Sequence, residues 1–168
     1  MDPQKNRKGL IIFLVGVFVV LSLLRVLSTE SRYLFLGFDG NRSGAVELKY
    51  YRDMVLRRMK GDGETIVPVM TVESIILQRN IDRLSELDTS DLEEMARSHN
   101  ASFAAYGTLN EDNREVSCTL IIYSRADNTM KSVTFQVEPA DTPHRFSEKL
   151  SEATWQKLRK LTGRGSER

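Results

Sequence analysis

The chain has 168 residues, 40% of them hydrophobic, and only four prolines, which suits about one average domain with its own apolar core and excludes a disordered chain. Its 24 basic and 23 acidic side chains nearly cancel, and once Lys5, Arg7, Lys8 and Arg25 are set against Asp2 the remainder is slightly acidic. That excludes a nucleic-acid binder, which needs a concentrated basic face, and the single cysteine, Cys118, excludes an internal disulfide.

Residues 1–8 form a basic tail. Residues 9–27, GLIIFLVGVFVVLSLLRVL, carry no charge between Leu10 and Leu24. At about 1.5 Å per residue a helix over this stretch covers roughly the 30 Å of a bilayer's hydrocarbon layer. The expectation is one transmembrane helix presenting Leu10, Phe13, Phe18 and Leu24 to lipid, with Arg25 snorkelling to the interface. The rival reading is a signal peptide cut after Ser28, although Arg25 interrupts the approach to that site. Lys5, Arg7 and Lys8 before the span equal Arg25, Arg32 and Arg42 after it in number, but the leading cluster is tighter and is joined by the N-terminus, which favours a cytoplasmic N-terminus. In a bacterial inner membrane this places the domain in the periplasm.

A short linker, residues 28–32, leads into a domain over residues 33–162. Residues 33–38 (YLFLGF) read as a buried strand, and residues 39–44 (DGNRSG) as a turn. A helix follows over residues 46–60, with Leu48, Tyr51, Val55 and Met59 at helical spacing and Glu47, Lys49, Arg52, Asp53 and Arg57 on its other side. Residues 64–70 read as a second strand that Pro68 confines to an edge or an end. Thr71 then caps a short helix that buries Val72, Ile75 and Ile76. Ser90 with Glu93 makes a capping box for the next helix, and Asn100 stops it. Three strands alternate in quick succession through Phe103–Leu109, Val116–Ile122 and Val133–Val137, joined by hairpin turns. Pro143 opens a last helix with Phe146, Leu150, Ala153 and Leu161 on its apolar stripe. Residues 163–168 are a flexible tail. The order β-α-β-α-α-β-β-β-α defines an α+β fold, a mixed β-sheet with helices packed mainly on one face.

This pattern resembles the amino-terminal domain of TolB, with related domains in the curli secretion pore subunit and in penicillin-binding-protein activator lipoproteins. The resemblance is carried by the strand ending in Phe38 with the turn DGNRSG and its following helix, and by the stretch from Glu73 to Leu77. The small-residue strand with Gly107 and the hairpin CTLIIYSRADNTM complete it. Asp39-Gly40-Asn41 is a loose version of the family's turn, and the chain holds no carboxyl-terminal propeller, which puts the full TolB role in doubt. The resemblance implies a non-catalytic protein-interaction domain of a cell-envelope complex.

Asp39, Asn41 and Ser43 fall at positions 1, 3 and 5 of a calcium-loop pattern, but Tyr50 stands where the twelfth-position Glu should be. The same loop lacks the Gly-Lys-Ser/Thr ending of a phosphate loop. His99, His144 and Cys118 suggest no nucleophile–base pair and no zinc site. Trp155 projects from the polar side of the last helix, among Glu148, Ser151, Arg159 and Thr162. Trp155, Arg159 and Glu148 are therefore candidate interface residues, with packing under a neighbouring loop as the alternative for the tryptophan. The expected function is that of an accessory or assembly subunit without cofactor or catalysis. It docks on envelope proteins in or near the same membrane, as a monomer or an oligomer. The alternative is a ligand- or ion-sensing module built on residues 39–44.

Overall fold

The computed structural model describes residues 31–41, 44–112 and 115–163. The basic tail, the expected membrane helix at 9–27, most of the linker and the end of the C-terminal tail lie outside the described residues. Among the described residues, no helix is long and apolar enough to cross a membrane.

Strand β1 (Arg32–Gly40) opens the domain. Helix α1 (Ala45–Gly61) follows, and strand β2 is only Thr65–Ile66. The sequence pattern suggested a strand to residue 70. Pro68 has no donor to extend a ladder, and its carbonyl instead accepts from Thr71 N and Val72 N, so helix α2 (Val69–Gln78) starts at once. Thr71 thus lies in the first turn and is not the cap. After a 3₁₀ turn (Leu84–Glu86), helix α3 (Thr89–Ser98) has its capping box two residues ahead of the Ser90–Glu93 pair. Asp88 Oδ1 accepts from Asp91 N at 2.9 Å, while Asp88 N donates to Asp91 Oδ2 at 3.0 Å. Glu93 is used one turn on, in an ion pair with Arg97. Asn100 ends the turn with a φ of 50°, in the left-handed region.

Strands β3 (Phe103–Asp112), β4 (Glu115–Ser124) and β5 (Thr129–Val137) form an antiparallel meander. Helix α4 (Pro143–Leu161) closes the domain, with Thr142 Oγ1 accepting from Arg145 N at its start. The sheet order is β2-β1-β3-β4-β5, and β1 is parallel to both of its neighbours.

That order explains a second departure from expectation. Helices pack on both faces of the sheet, not mainly on one. The crossover through α1 leads from β1 to β2 on one side. The crossover through α2 and α3 leads back across β1 to β3. Two parallel crossovers running in opposite directions share one hand only if their helices lie on opposite faces. Accordingly α1 and α4 enclose one core with Tyr33, Phe35, Leu109, Cys118 and Leu120. Helices α2 and α3 enclose the other with Leu34, Leu36, Ala104 and Tyr106. This is why the run YLFL in β1 is apolar at every position and buried throughout.

The alternation slips once. Phe35 pairs with Ala105 but Gly37 pairs with Tyr106, so one residue of β1 is extra. The slip returns Phe38 to the face of Phe35, and the two rings meet edge to face at 5.4 Å. Gly37 makes this possible with a φ of 120°, where a Cβ would lie 3.2 Å from Arg52 Cδ.

Candidate functional site

Strand β2 pairs only with Arg32 and Tyr33, so the outer edge of β1 beyond them has no strand neighbour. Helices α1 and α2, on opposite faces, meet over that gap. Arg52 of α1 passes Gly37 and places its Nη2 3.1 Å from Glu73 Oε1 of α2. The same guanidinium holds Asp53 Oδ1 at 3.0 Å through Nε, and Lys49 approaches Glu73 at 3.7 Å. The Arg52 side chain is 5% exposed and that of Glu73 38%, so the pair is a latch across the end of the sheet with its cation buried and its carboxylate reaching the surface. The hydrogen bond from Arg52 holds the Glu73 carboxyl below the usual carboxylate range, against the partial loss of water around it.

Beside the latch lies a cavity of about 420 Å³. Leu36, Phe38, Leu48, Ile76, Leu77 and Leu84 give it an apolar lining, and Asp39, Lys49, Arg52, Glu73 and Asp82 bring charge to it. No described histidine or cysteine lines it. Its lining is that of a socket for apolar groups with a charged border. Leu77, on its wall, is 78% exposed, and Met70 of the same helix and Val46 of α1 are 78% and 82% exposed.

Arg52 and Glu73 were missed as site residues in the sequence. Helical spacing put Arg52 among the solvated residues of α1, and it is 4% exposed. The readable signal was Gly37, a glycine inside an otherwise bulky buried strand, which marks a close approach by another group.

The residues singled out in the sequence lie elsewhere or serve the fold. Asp39 Oδ1 accepts from Gly40 N at 2.7 Å, and its Oδ2 accepts from Ser85 N and Oγ at 3.2 and 2.9 Å. Asn41 Oδ1 accepts from Glu111 N at 3.0 Å. These two members of the calcium-like pattern therefore brace the end of β1 to the 3₁₀ turn and to β3, and Ser43 lies outside the described residues. Among the described residues no group of three or more His, Cys, Asp or Glu could hold a metal.

Trp155 requires a correction: it is 1% exposed, not on a polar surface. Its Nε1 donates to Asp62 Oδ2 at 2.7 Å in the loop after α1, and its ring meets Tyr33 edge-on at 5.7 Å. Helical spacing alone sets it among polar residues, but α4 packs on both the sheet and α1. Its buried arc includes Ser147, Ser151 and Thr154, small enough for close helix contact. Ser147 and Ser151 return their hydroxyl protons to carbonyls of their own helix, so they are buried without loss. Arg159 lies 5.8 Å over the Trp155 ring and 3.7 Å from Asp62, completing the same brace. Glu148 pairs with His144 at 3.4 Å, about 16 Å along the helix from Arg159 at 1.5 Å per residue, so the three do not form one patch. Cys118 is wholly buried, and loss of water pushes its thiol up to about 12.

A five-stranded mixed sheet with paired helices on each face and an open groove at one end defines an α+β architecture. The fold is similar to that of the LpoB C-terminal domain. The LpoB C-terminal domain of Salmonella enterica superposes with a TM-score of 0.52 at 15% identity, covering 66% of this chain and 84% of that one. The LpoB C-terminal domain of Escherichia coli gives 0.50 at 13% identity, with the same coverage of 66% and 84%. Lipoprotein GNA1162 of Neisseria meningitidis gives 0.50 at 11% identity, covering 76% of this chain and 96% of that one. No sequence family and no curated protein matches the chain.

Proposed function

We propose that this protein is an accessory or assembly subunit of a cell-envelope complex that acts by docking on other proteins. Residues 9–27 hold it in the bacterial inner membrane with the N-terminus in the cytoplasm, and the domain works in the periplasm on partners in or near that membrane. The observation that carries the reading is the 420 Å³ groove at the end of β1, with solvent-exposed Leu77 on its wall. Exposed leucine beside a concave apolar lining, bordered by charge, is the composition of a docking site for a protein side chain. The likeness in fold to the LpoB C-terminal domain and to lipoprotein GNA1162 agrees with it.

The test is a Leu77→Arg variant of the full chain, purified in mild detergent beside the wild type. Leu77 is 78% exposed, so folding stability stays within about 0.5 kcal/mol. Partners recovered with the wild type are lost with the variant. A wild-type chain that purifies as a lone monomer, or equal recovery by both chains, refutes docking through the groove.

A further inference from the structure

Strand β5 forms one edge of the sheet, and its nine residues pair with β4 one for one, without a bulge. It contains no proline and one charge, Lys131. Most edge strands are shortened, bulged, charged or covered, because a row of unpaired backbone groups is a template for another strand. The other edge follows that rule, since β2 has two residues. Strand β5 does not.

The direction of each backbone group on β5 follows from the ladder. Arg125 N donates to Ser102 O, and Leu109 O accepts from Asn41 N on the β1 side. Antiparallel pairs alternate between hydrogen-bonded and non-bonded. Ala104, Tyr106 and Thr108 therefore bond across to β4, and Ile122, Leu120 and Cys118 turn their backbone groups to β5. Their partners Lys131, Val133 and Phe135 are satisfied by β4. Met130, Ser132, Thr134 and Gln136 aim their N–H and C=O groups away from the sheet.

Along the strand itself the free charge is positive, while Asp127 in the turn before it accepts from Ser124 Oγ at 3.0 Å. Glu138 is paired with Lys149 at 2.9 Å, and Glu152 with Arg58. Lys131 and Lys157 form no ion pair with any described residue, and Lys157 Nζ lies 5.9 Å over the Phe135 ring. A second copy meets a charge conflict in the register centred on Val133. Antiparallel pairing centred on Val133 would set Lys131 of each copy opposite Phe135 of the other, under the other copy's Lys157, and like charges at that range repel.

Resting on the docking function above, we infer that β5 accepts an extended acidic segment of a partner protein as a sixth strand. The segment's backbone pairs with Ser132 and Thr134, and its carboxylates meet Lys131 and Lys157. This is strand addition, in which main-chain bonds supply affinity and side chains at alternate positions supply choice.

The experiment selects a displayed library of random nonapeptides on the full chain in detergent. Enrichment of acidic, alternating sequences is expected. Ser132→Pro removes an outward donor at an exposed edge position without touching the β4 ladder, so binding of the selected peptides should fall at least tenfold. Lys131→Glu with Lys157→Glu leaves the backbone intact and should turn the selection toward basic peptides. No enrichment, neutral or basic enrichment on the wild type, or undiminished binding by folded Ser132→Pro protein overturns the inference. So does a wild-type dimer that Ser132→Pro dissociates. Partner recovery that is sensitive to Leu77→Arg but indifferent to Ser132→Pro would sink strand addition alone and leave the groove reading intact.

Discussion

Trp155→Ala removes the largest of the fully buried side chains and, with it, the indole donor to Asp62. Truncating a buried Trp or Phe to Ala costs about 3–5 kcal/mol, combining the lost transfer energy with the cavity left behind. The hydrogen bond adds less, because the Asp62 side chain is 47% exposed and water takes the indole's place. For a domain of this size each kcal/mol moves the midpoint by roughly 3–5 °C, so a fall of about 10–20 °C is expected. Thermal unfolding followed by circular dichroism measures it. Two companions divide the effect. Asp62→Ala, which removes only the acceptor, should cost no more than about 1.5 kcal/mol. Trp155→Phe, which keeps most of the packing, should fall between the two. A Trp155→Ala midpoint within about 2 °C of the wild type would refute the burial argument and restore the tryptophan to the surface.

Two other properties follow from the same structure. The Glu73 carboxyl titrates below its ordinary value of 4.5 because Arg52 donates to its charged form. Its contribution to stability is therefore complete above the unfolded-state value and is lost as pH falls through the lower folded-state value. Glu73→Gln should flatten the acid limb of the stability–pH curve below about pH 4.5, as read by urea unfolding, whereas an unchanged limb contradicts the latch. Cys118, wholly buried and with its thiol at about 12, should react with a thiol reagent at pH 8 only at the rate of unfolding, and prompt labelling of the native protein would contradict its place in the core.

The element order was legible because each signal was local. The alternation in β3 to β5, Pro143 at the head of α4 and Asn100 at the end of α3 depend only on near neighbours in the chain. The assignment of faces was not local. It required the sheet order, and only that order shows that α1 and α2 belong on opposite sides of β1. The uniformly apolar run YLFL carried a trace of the answer, since a strand covered on one face alternates. The same limit hid the site. Arg52 looks solvated along its own helix and is buried by a helix from the other face, while Trp155 looks exposed until α1 is set beside α4. Capping erred for a smaller reason: Ser90 with Glu93 matches the box by residue type, while the shorter Asp88 and Asp91 form it, as their hydrogen bonds show. In the calcium-like loop, the oxygens of Asp39 and Asn41 serve backbone donors brought from distant parts of the chain.

The central claim is that this domain works by docking through the groove beside Arg52 and Glu73. The most direct measurement is recovery of envelope proteins by the full chain in mild detergent, wild type against Leu77→Arg, with unfolding curves recorded on both. Retained stability with loss of the partner is the expected result. Retained stability with the same partners at the same yield would contradict the claim.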